Sequence, residues 1–316
     1  MGKLLLISNE SYGSLEYLIE GLLKNDIKHK QLNLSLFPQD VYSSIKMDNE
    51  GHLIAYGNEE FNMDDVKVIF FQGYGSNKRA DENTTSSFLN FIRTESDEYI
   101  KGLFSLVHPH WINDPEYSLR TENKIYQLEM ASRIGLNIPK TLITNNPKDA
   151  KEFFEHHSKN VVVKPLKTNL INIGHEKQVM FTSLVTNEDF DSVKCSPCFF
   201  QEYVDKELEL RIIVIGDKAL SLAIHSQDSE KTRVDWRRDV WNLKITEYTL
   251  DEEVKKKCVL LTKQLGLEYG AIDMIFSKKG EYYFLEINPT GEWAWLEKKS
   301  GAPIRKVLID RISEFI

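Results

Sequence analysis

The chain opens with a short apolar run, KLLLIS, followed by SLEYLIEGLLKN, where leucine and isoleucine recur at helical spacing. Two further strand-like runs, KHKQLNLS and DVKVIFFQG, come before Asp114, so the first part of the chain predicts an α/β unit. Within it VYSSIKMDNEGHLIAYG predicts a hairpin turning at Asn49-Glu50-Gly51, and the stretch from Thr84 to Val107 predicts a helix. After the junction HPHWINDP, a helix carries Ile125, Leu128 and Ala131 at spacing three and ends at Gly135 and Pro139. KTLIT predicts a strand, DAKEFFEHH a helix and NVVVKP another strand; Leu166–Glu176 predicts a loop or hairpin tip. From Cys198 onward strands dominate: CFFQEYV, then ELELRIIVI and KALSLAIHS joined by a tight Gly216-Asp217 turn. One helix interrupts them. It opens on the capping-box pattern Thr249-Leu250-Asp251-Glu252, buries Val254, Cys258, Leu261 and Leu265, and stops at Gly266. These patterns divide the chain into expected domains at 1–114, 115–198 and 199–316.

Composition narrows the partners. With 316 residues, 41% of them hydrophobic, the chain can build roughly two or three cores. A net charge of −8 gives no general attraction for nucleic acid or an anionic membrane, so neither is an expected partner. The first apolar run, Leu4–Ile7, is too short for a signal peptide or membrane span. Three cysteines, an odd number, fit a reducing compartment and a cytoplasmic location. Cys195-Ser-Pro-Cys198 has redox-like spacing but no second pair for a zinc site, and reads as small residues before a strand.

The chemistry concentrates in GAIDMIFSKKGEYYFLEINP, two strands around a turn near Ser277–Gly280. If Phe276 faces Glu281, Asp273 faces Phe284 and Glu286 lies diagonally one pair away, with Asn288 on the same side. Leu285 and Ile287 then point into a core. Two carboxylates and an amide oxygen suit Mg²⁺, which commonly takes one or two carboxylates and completes its shell with water and nucleotide phosphate. On this spacing alone, a surface hairpin with scattered acids fits as well.

Other residues change the balance. Lys124, Lys164 at the end of VVVKP, the QEYV edge and the Glu209/Arg211 pair precede Asp273, Glu286 and Asn288 in an order that resembles the ATP-grasp superfamily. The resemblance implies that Lys124 and Lys164 contact ATP phosphates, that the backbone of Glu202, Tyr203 and Val204 binds adenine, and that Glu209 holds the ribose hydroxyls. It further implies that Arg211 faces the transferred phosphate and that Asp273, Glu286 and Asn288 bind two Mg²⁺ ions. Each role suits its residue type: arginine offers a planar multi-donor charge, lysine a compact one, and carboxylates accept from hydroxyls or metal. Taken alone, Arg211 also reads as a strand-surface partner of Glu209.

WINDP, NKIYQLEMASRIGLNIPKTLITN, DWRRD and FLEINPTGEWAWLEKKSGAPI look like the ribosomal-peptide maturases of the microviridin-ligase, or graspetide-synthetase, type. That likeness covers nearly the whole chain, most specifically Trp111 to Ile304. PLKTNLINIGHE departs from it, being less glycine-rich than the usual phosphate-covering loop. The family implies an α/β ATP-grasp fold with an N-terminal α/β domain, a central domain and a C-terminal ATP-binding domain. It implies an ATP-dependent ligase that activates Asp or Glu side chains of a ribosomal precursor peptide as acyl phosphates and joins them to Ser or Thr hydroxyls or Lys amines. A leader segment would dock on the central domain, and the protein would be a homodimer. Arg237 and Arg238 of DWRRD are expected to grip acidic substrate side chains, although a solvated charged turn is nearly as good a reading. Trp293 and Trp295 are expected to pack the wall of the site, and His108 and His110 to sit at the domain junction. Two alternatives stand: a carboxylate–amine ligase acting on small amino acids or a protein C-terminus, and a non-catalytic nucleotide-binding scaffold.

Overall fold

The computed structural model describes residues 4–8, 13–49, 51–56, 59–62, 65–73, 86–106, 109–167, 170–173, 176–186 and 189–316. The first unit is a parallel sheet of β1 (Leu4–Ser8), β2 (His29–Asn33), β6 (Val68–Phe71) and β7 (His110–Ile112) in the order β2-β1-β6-β7. Helices α1 (Gly13–Lys24) and α2 (Ser86–Ser105) accompany it, and an antiparallel sheet of β3 (Ser43–Asp48), β4 (Gly51–Tyr56) and β5 (Glu59–Asn62) is inserted before β6. The predicted hairpin is present, with Asp48 opposite Gly51. All five residues of β1 are buried, as expected for a parallel strand covered on both faces. Leu5, Ile7, Ile69 and Phe71 pack on one side with Leu103 and Phe104. Leu4, Leu6, Val68 and Phe70 pack on the other with Trp293, Leu296 and Leu308 from the far end of the chain. Each such side chain contributes ~1.5–3 kcal/mol, so this shared core fixes the first sheet against the last unit.

WINDP forms the joint. Asp114 caps α3 (Pro115–Thr121), with Pro115 in its first turn. Asn113, 1% exposed, donates to the carbonyls of Tyr269 and Pro289 and accepts from the N–H groups of Glu268 and Tyr269. Next to it, His110 stacks on Phe315 at 3.5 Å between ring centroids, which places it at the junction; His108 lies outside the described residues. Then come α4 (Lys124–Arg133), β8 (Thr141–Thr144), α5 (Pro147–His156) and β9 (Val161–Lys164). The stretch read as a loop or hairpin tip contains β10 (Leu170–Ile173) paired with β11 (Glu176–Val179); residues 168, 169, 174 and 175 lie outside the described residues. A short β12 (Ser183–Leu184) and β13 (Cys198–Glu202) complete a central sheet in the order β12-β9-β13-β8. Cys195 is exposed, and Cys195, Cys198 and Cys258 are all free thiols.

The last unit is an antiparallel sheet of β14 (Lys206–Ile215), β15 (Lys218–Ile224), β16 (Ile245–Glu247), β17 (Tyr269–Ser277) and β18 (Tyr282–Asn288), ordered β16-β15-β14-β17-β18. The β14–β15 turn falls at Gly216-Asp217, where Gly216 takes φ 59°, a value that strains any residue with a Cβ. Helix α6 (Glu252–Gln264) buries Cys258 and Leu261 as its spacing requires. Its cap is Asp251, two residues later than the capping-box reading: the Asp251 carboxylate accepts from the N–H groups of Glu253 and Val254. Helices α7 (Ala294–Ser300) and α8 (Ile304–Ser313) close the chain. Among the described residues no helix is long and apolar enough to cross a membrane.

Candidate active site

The expected register of the acidic hairpin is off by one. Phe276 pairs with Tyr282 and Met274 with Phe284, and a bulge then shifts the ladder so that Asp273 stands directly opposite Glu286 and Ala271 opposite Asn288. A bulge places two residues against one and breaks strict alternation. Phe284 and Ile287 are therefore the core residues of β18, whereas Leu285, expected to be buried with Ile287, lines the cleft. On the outer edge of β18, the buried Gln127 side chain takes the place of a neighbouring strand. It donates to the Ile287 carbonyl at 2.9 Å and accepts from the Ile287 N–H at 2.9 Å, holding the backbone between Glu286 and Asn288.

This hairpin forms one wall of a cleft of ≈ 520 Å³, in the range of nucleotide-sized pockets; the central sheet forms the other. Lys124 enters from α4, its Nζ 3.1 Å from Glu286 Oε2 and donating to the Pro165 carbonyl. Lys164 enters from β9, its ammonium 4.6 Å from the centre of the Phe199 ring. Burial lowers its pKa to about 8, with Lys124 acting in the same direction and Glu286 opposing both. Burial would raise Glu286, but Lys124, Lys164 and Arg237 outweigh it and hold this carboxyl at about 2. Asp273 differs: burial pushes it up against the lowering by Arg211, and Glu286 adds to the rise.

Arg211 stands behind this surface rather than on it. Nη1 donates to both oxygens of Asp273 at 2.8 Å, while Nε is buried without a partner. Arg211 is thus paired with Asp273 and not with Glu209. Glu209 instead accepts from Lys206 at 2.7 Å, in an ion pair whose side chains are 4% and 8% exposed, and burial raises its pKa despite Lys206. Lys206 also donates to the Val234 carbonyl. Arg237 reaches the cleft through Asp235, to which it donates from Nε at 2.9 Å and Nη2 at 2.6 Å. Arg238 turns elsewhere: it donates to the Thr182 carbonyl and Ser183 Oγ and lies over the Phe181 ring, and it does not line the cleft.

Glu202, Tyr203 and Val204 lie along the cleft. The Glu202 and Tyr203 N–H groups are already committed to the carbonyls of Lys140 and Asn160. Asn288 lines the cleft too, its side-chain oxygen accepting from the Thr290 N–H. Trp293 is not part of the wall; it lies in the core against α1, while Trp295 stacks on Trp236, which does line the cleft.

Lys206, Asp235, Asn113 and Gln127 were not singled out from the sequence, although Asp235 and Asn113 lie inside the quoted DWRRD and WINDP motifs. Lys206 could have been found by asking what charge balances an acid on a strand as apolar as Glu209's. The donor set fits a nucleotide with a divalent cation: two opposed carboxylates and an amide oxygen for the metal, and cations around them for phosphate. The unpaired Arg211 Nε adds a buried donor beside them.

The RimK-like ATP-grasp domain family matches residues 121–312. A RiPP-associated ATP-grasp ligase of Chryseobacterium gregarium, in complex with ADP and a leader and core peptide, is similar with a TM-score of 0.90 and 28% identity, over 98% of this chain and 96% of that one. Macrocyclase MdnC of Microcystis aeruginosa MRC, bound with precursor peptide MdnA, gives a TM-score of 0.88 and 28% identity over 98% and 99%. By sequence, a probable alpha-L-glutamate ligase of Haemophilus influenzae is 27% identical over 217 residues, 67% of each chain. The match covers more than half of the chain and contains the metal-ligand candidates, the flanking lysines and Arg211, and on that ground this chain belongs to the RimK-like ATP-grasp family of ADP-forming ligases.

Proposed function

We propose that this ligase crosslinks side chains within a ribosomal precursor peptide. An Asp or Glu carboxylate of the peptide attacks the γ-phosphate of ATP to give an acyl phosphate and ADP, and a Ser or Thr hydroxyl, or a Lys amine, then displaces phosphate. The observation that carries this reading is the extent of the structural likeness. It runs over 98% of the chain, including the N-terminal unit outside the RimK-like match, to a ligase holding a leader and core peptide.

In this reading Lys124 and Lys164 neutralise the nucleotide phosphates and Glu209 accepts from the ribose hydroxyls. Adenine pairs with the Glu202 carbonyl and Val204 N–H, since the neighbouring N–H groups are committed. Asp273, Glu286 and Asn288 hold two Mg²⁺ ions, which supply charge neutralisation at the transferring phosphoryl group. Arg211 orients Asp273 and offers Nε toward developing negative charge; Arg237, held by Asp235, grips the substrate carboxylate. Residues 1–114, 115–198 and 199–316 act as N-terminal, central and ATP-binding units, with the leader on the central one.

Incubation with ATP, Mg²⁺ and a leader-bearing precursor should remove one water from the peptide per bond, with ADP formed in step. Unchanged peptide mass, with the nucleotide shown to bind, would overturn the proposal. A second reading, ligation of a carboxylate to the amine of a small amino acid or a protein C-terminus, is favoured by the likeness to a probable glutamate ligase. ADP release with free glutamate and no peptide would select it.

A further inference from the structure

Strand β18 is the edge of its sheet: β17 pairs with one side, and among the described residues no strand pairs with the other. An edge of this kind leaves backbone N–H and C=O groups to be satisfied by something else. Register matters here more than elsewhere, because side chains alternate along a strand. A slip of one residue would turn Glu286 and Asn288 toward the core and Ile287 toward the cleft. The bulge sharpens the problem. Leu285 has no counterpart on β17, since Phe284 stands opposite Met274 and Glu286 opposite Asp273, and the extra residue interrupts the ladder just where the ligands lie.

Support comes from α4 and the segment after it. Before the bulge, the Phe284 N–H donates to the Asn137 carbonyl at 2.8 Å. After the bulge, Gln127 takes both backbone groups of Ile287, donating to its carbonyl and accepting from its N–H, each at 2.9 Å. A carboxamide offers a donor and an acceptor side by side, as a strand residue does. These two fastenings bracket Leu285 and Glu286. Gln127 is 3% exposed, and its amide nitrogen also donates to the Thr121 carbonyl at the end of α3. Both amide hydrogens are thus spent on backbone, so Gln127, although it borders the cleft, has no N–H left for phosphate. Three residues earlier, on the same face of α4, Lys124 pairs with Glu286, the neighbour of Ile287. Helix α4 therefore meets β18 at two consecutive residues, once through a charge and once through the backbone.

We propose that Gln127 is a positioning residue of the metal site. It fixes the register of β18 across the bulge, so that Glu286 and Asn288 face the cleft with Asp273 before nucleotide arrives, and it ties that register to the helix that supplies Lys124. The inference rests on the reading of Asp273, Glu286 and Asn288 as Mg²⁺ ligands. A positioning role is distinct from a contribution to the core. A residue that only packs the fold changes the unfolding temperature and leaves the benefit of Mg²⁺ intact. One that sets the spacing of the ligands weakens binding of the nucleotide with its metal and spares binding of the nucleotide alone.

Gln127→Met keeps the length of the side chain and gives up its bonds to Thr121 and Ile287. Calorimetric titration with ADP, once in Mg²⁺ and once in EDTA, reads the two affinities separately. In Mg²⁺ the affinity should fall about tenfold, the usual scale for losing a group that orients metal ligands, while in EDTA it stays at the wild-type level. Equal loss in both buffers, or loss in neither, would overturn the positioning role. Leu128, the next residue on α4, is buried in the core and supplies the control: Leu128→Ala should lower the unfolding temperature and leave the effect of Mg²⁺ unchanged. The same selective loss in this control would overturn the assignment to Gln127. Hydrogen exchange on the wild-type protein needs no variant. The amides of Phe284 and Ile287 should exchange slowly with and without Mg²⁺ and ADP, because their partners lie within the fold; fast exchange at Ile287 in the nucleotide-free protein would overturn the pre-set register. Wild-type protein that binds ADP equally well in Mg²⁺ and EDTA would overturn the metal reading itself, and this inference with it.

Discussion

The nucleotide cleft and the core that the parallel sheet shares with the last unit treat polar atoms in opposite ways. In and behind the cleft most charges are already paired: Arg211 with Asp273, Lys124 with Glu286, Lys206 with Glu209, Arg237 with Asp235. In and near that core, Ser8 Oγ, Gln72 Oε1 and Trp293 Nε1 are neutral, buried and unpaired. A buried charge without a partner costs far more than a buried neutral group, so a cleft that must receive phosphate and metal is stable beforehand only if its charges hold one another. Such pairs can exchange partners when a charged ligand arrives. Neutral atoms can stay unpaired at a smaller cost.

The comparison is broken most directly at Glu286. Glu286→Gln removes one carboxylate of the proposed metal set and strands Lys124; ADP formation should fall by roughly 10²–10³-fold, with the far-ultraviolet circular dichroism unchanged. Full turnover in this variant would remove the metal assignment. Arg211→Lys tests whether geometry or charge matters behind the cleft. Lysine cannot reproduce the two-oxygen contact with Asp273 and the free Nε together, so kcat should drop by about tenfold or more while KM for ATP changes little.

The Lys206–Glu209 pair sharpens the stability side. Glu209→Gln should lower unfolding free energy by about 3 kcal/mol and raise KM for ATP, whereas Lys206→Met with Glu209→Gln should recover much of the stability and none of the affinity. Denaturant titration and ATP kinetics on both variants decide this.

Acidity comes next. Lys164 is charged below pH about 8 and loses its charge above it, since its pKa lies below the ordinary lysine value. The kcat/KM for ATP should therefore decline as pH rises through about 8, and Lys164→Arg should move the decline upward. Glu286, held at about 2, stays ionised across that range and adds no acid limb above pH 4. The smallest effect is expected at Arg238, which faces Thr182 and Ser183: Arg238→Ala should change stability by no more than about 0.5 kcal/mol. Arg237→Ala should raise KM for the peptide far more.

Much of this was legible in the sequence because it depends on local pattern. The alternation of apolar runs showed the α/β unit, Gly216-Asp217 showed the β14–β15 hairpin of the last sheet, and the order Lys124, Lys164, Glu209, Arg211, Asp273, Glu286, Asn288 resembled one ATP-grasp cleft; folding brings six of these seven residues, spread over 165 positions, to that cleft and sets Arg211 behind it. What pattern could not show was pairing. Glu209 and Arg211 sit two residues apart on one strand, so a bridge between them is the natural reading, yet each is drawn to a partner from a different place, Lys206 across a bulge and Asp273 on the next strand.

By itself, then, the sequence determined which residues are apolar and at what period, and hence the strands, the helices and the side of each strand that seeks a core. Only the tertiary structure decided the one-residue slip that sets Asp273 against Glu286, the choice of ion-pair partners, and the hydrogen bond of Ser14 to Glu292, 278 residues away. The physical reason is range: hydrophobic periodicity acts within one element, while a bulge, an ion pair or a long-range hydrogen bond depends on groups that the chain brings together only after its cores have formed.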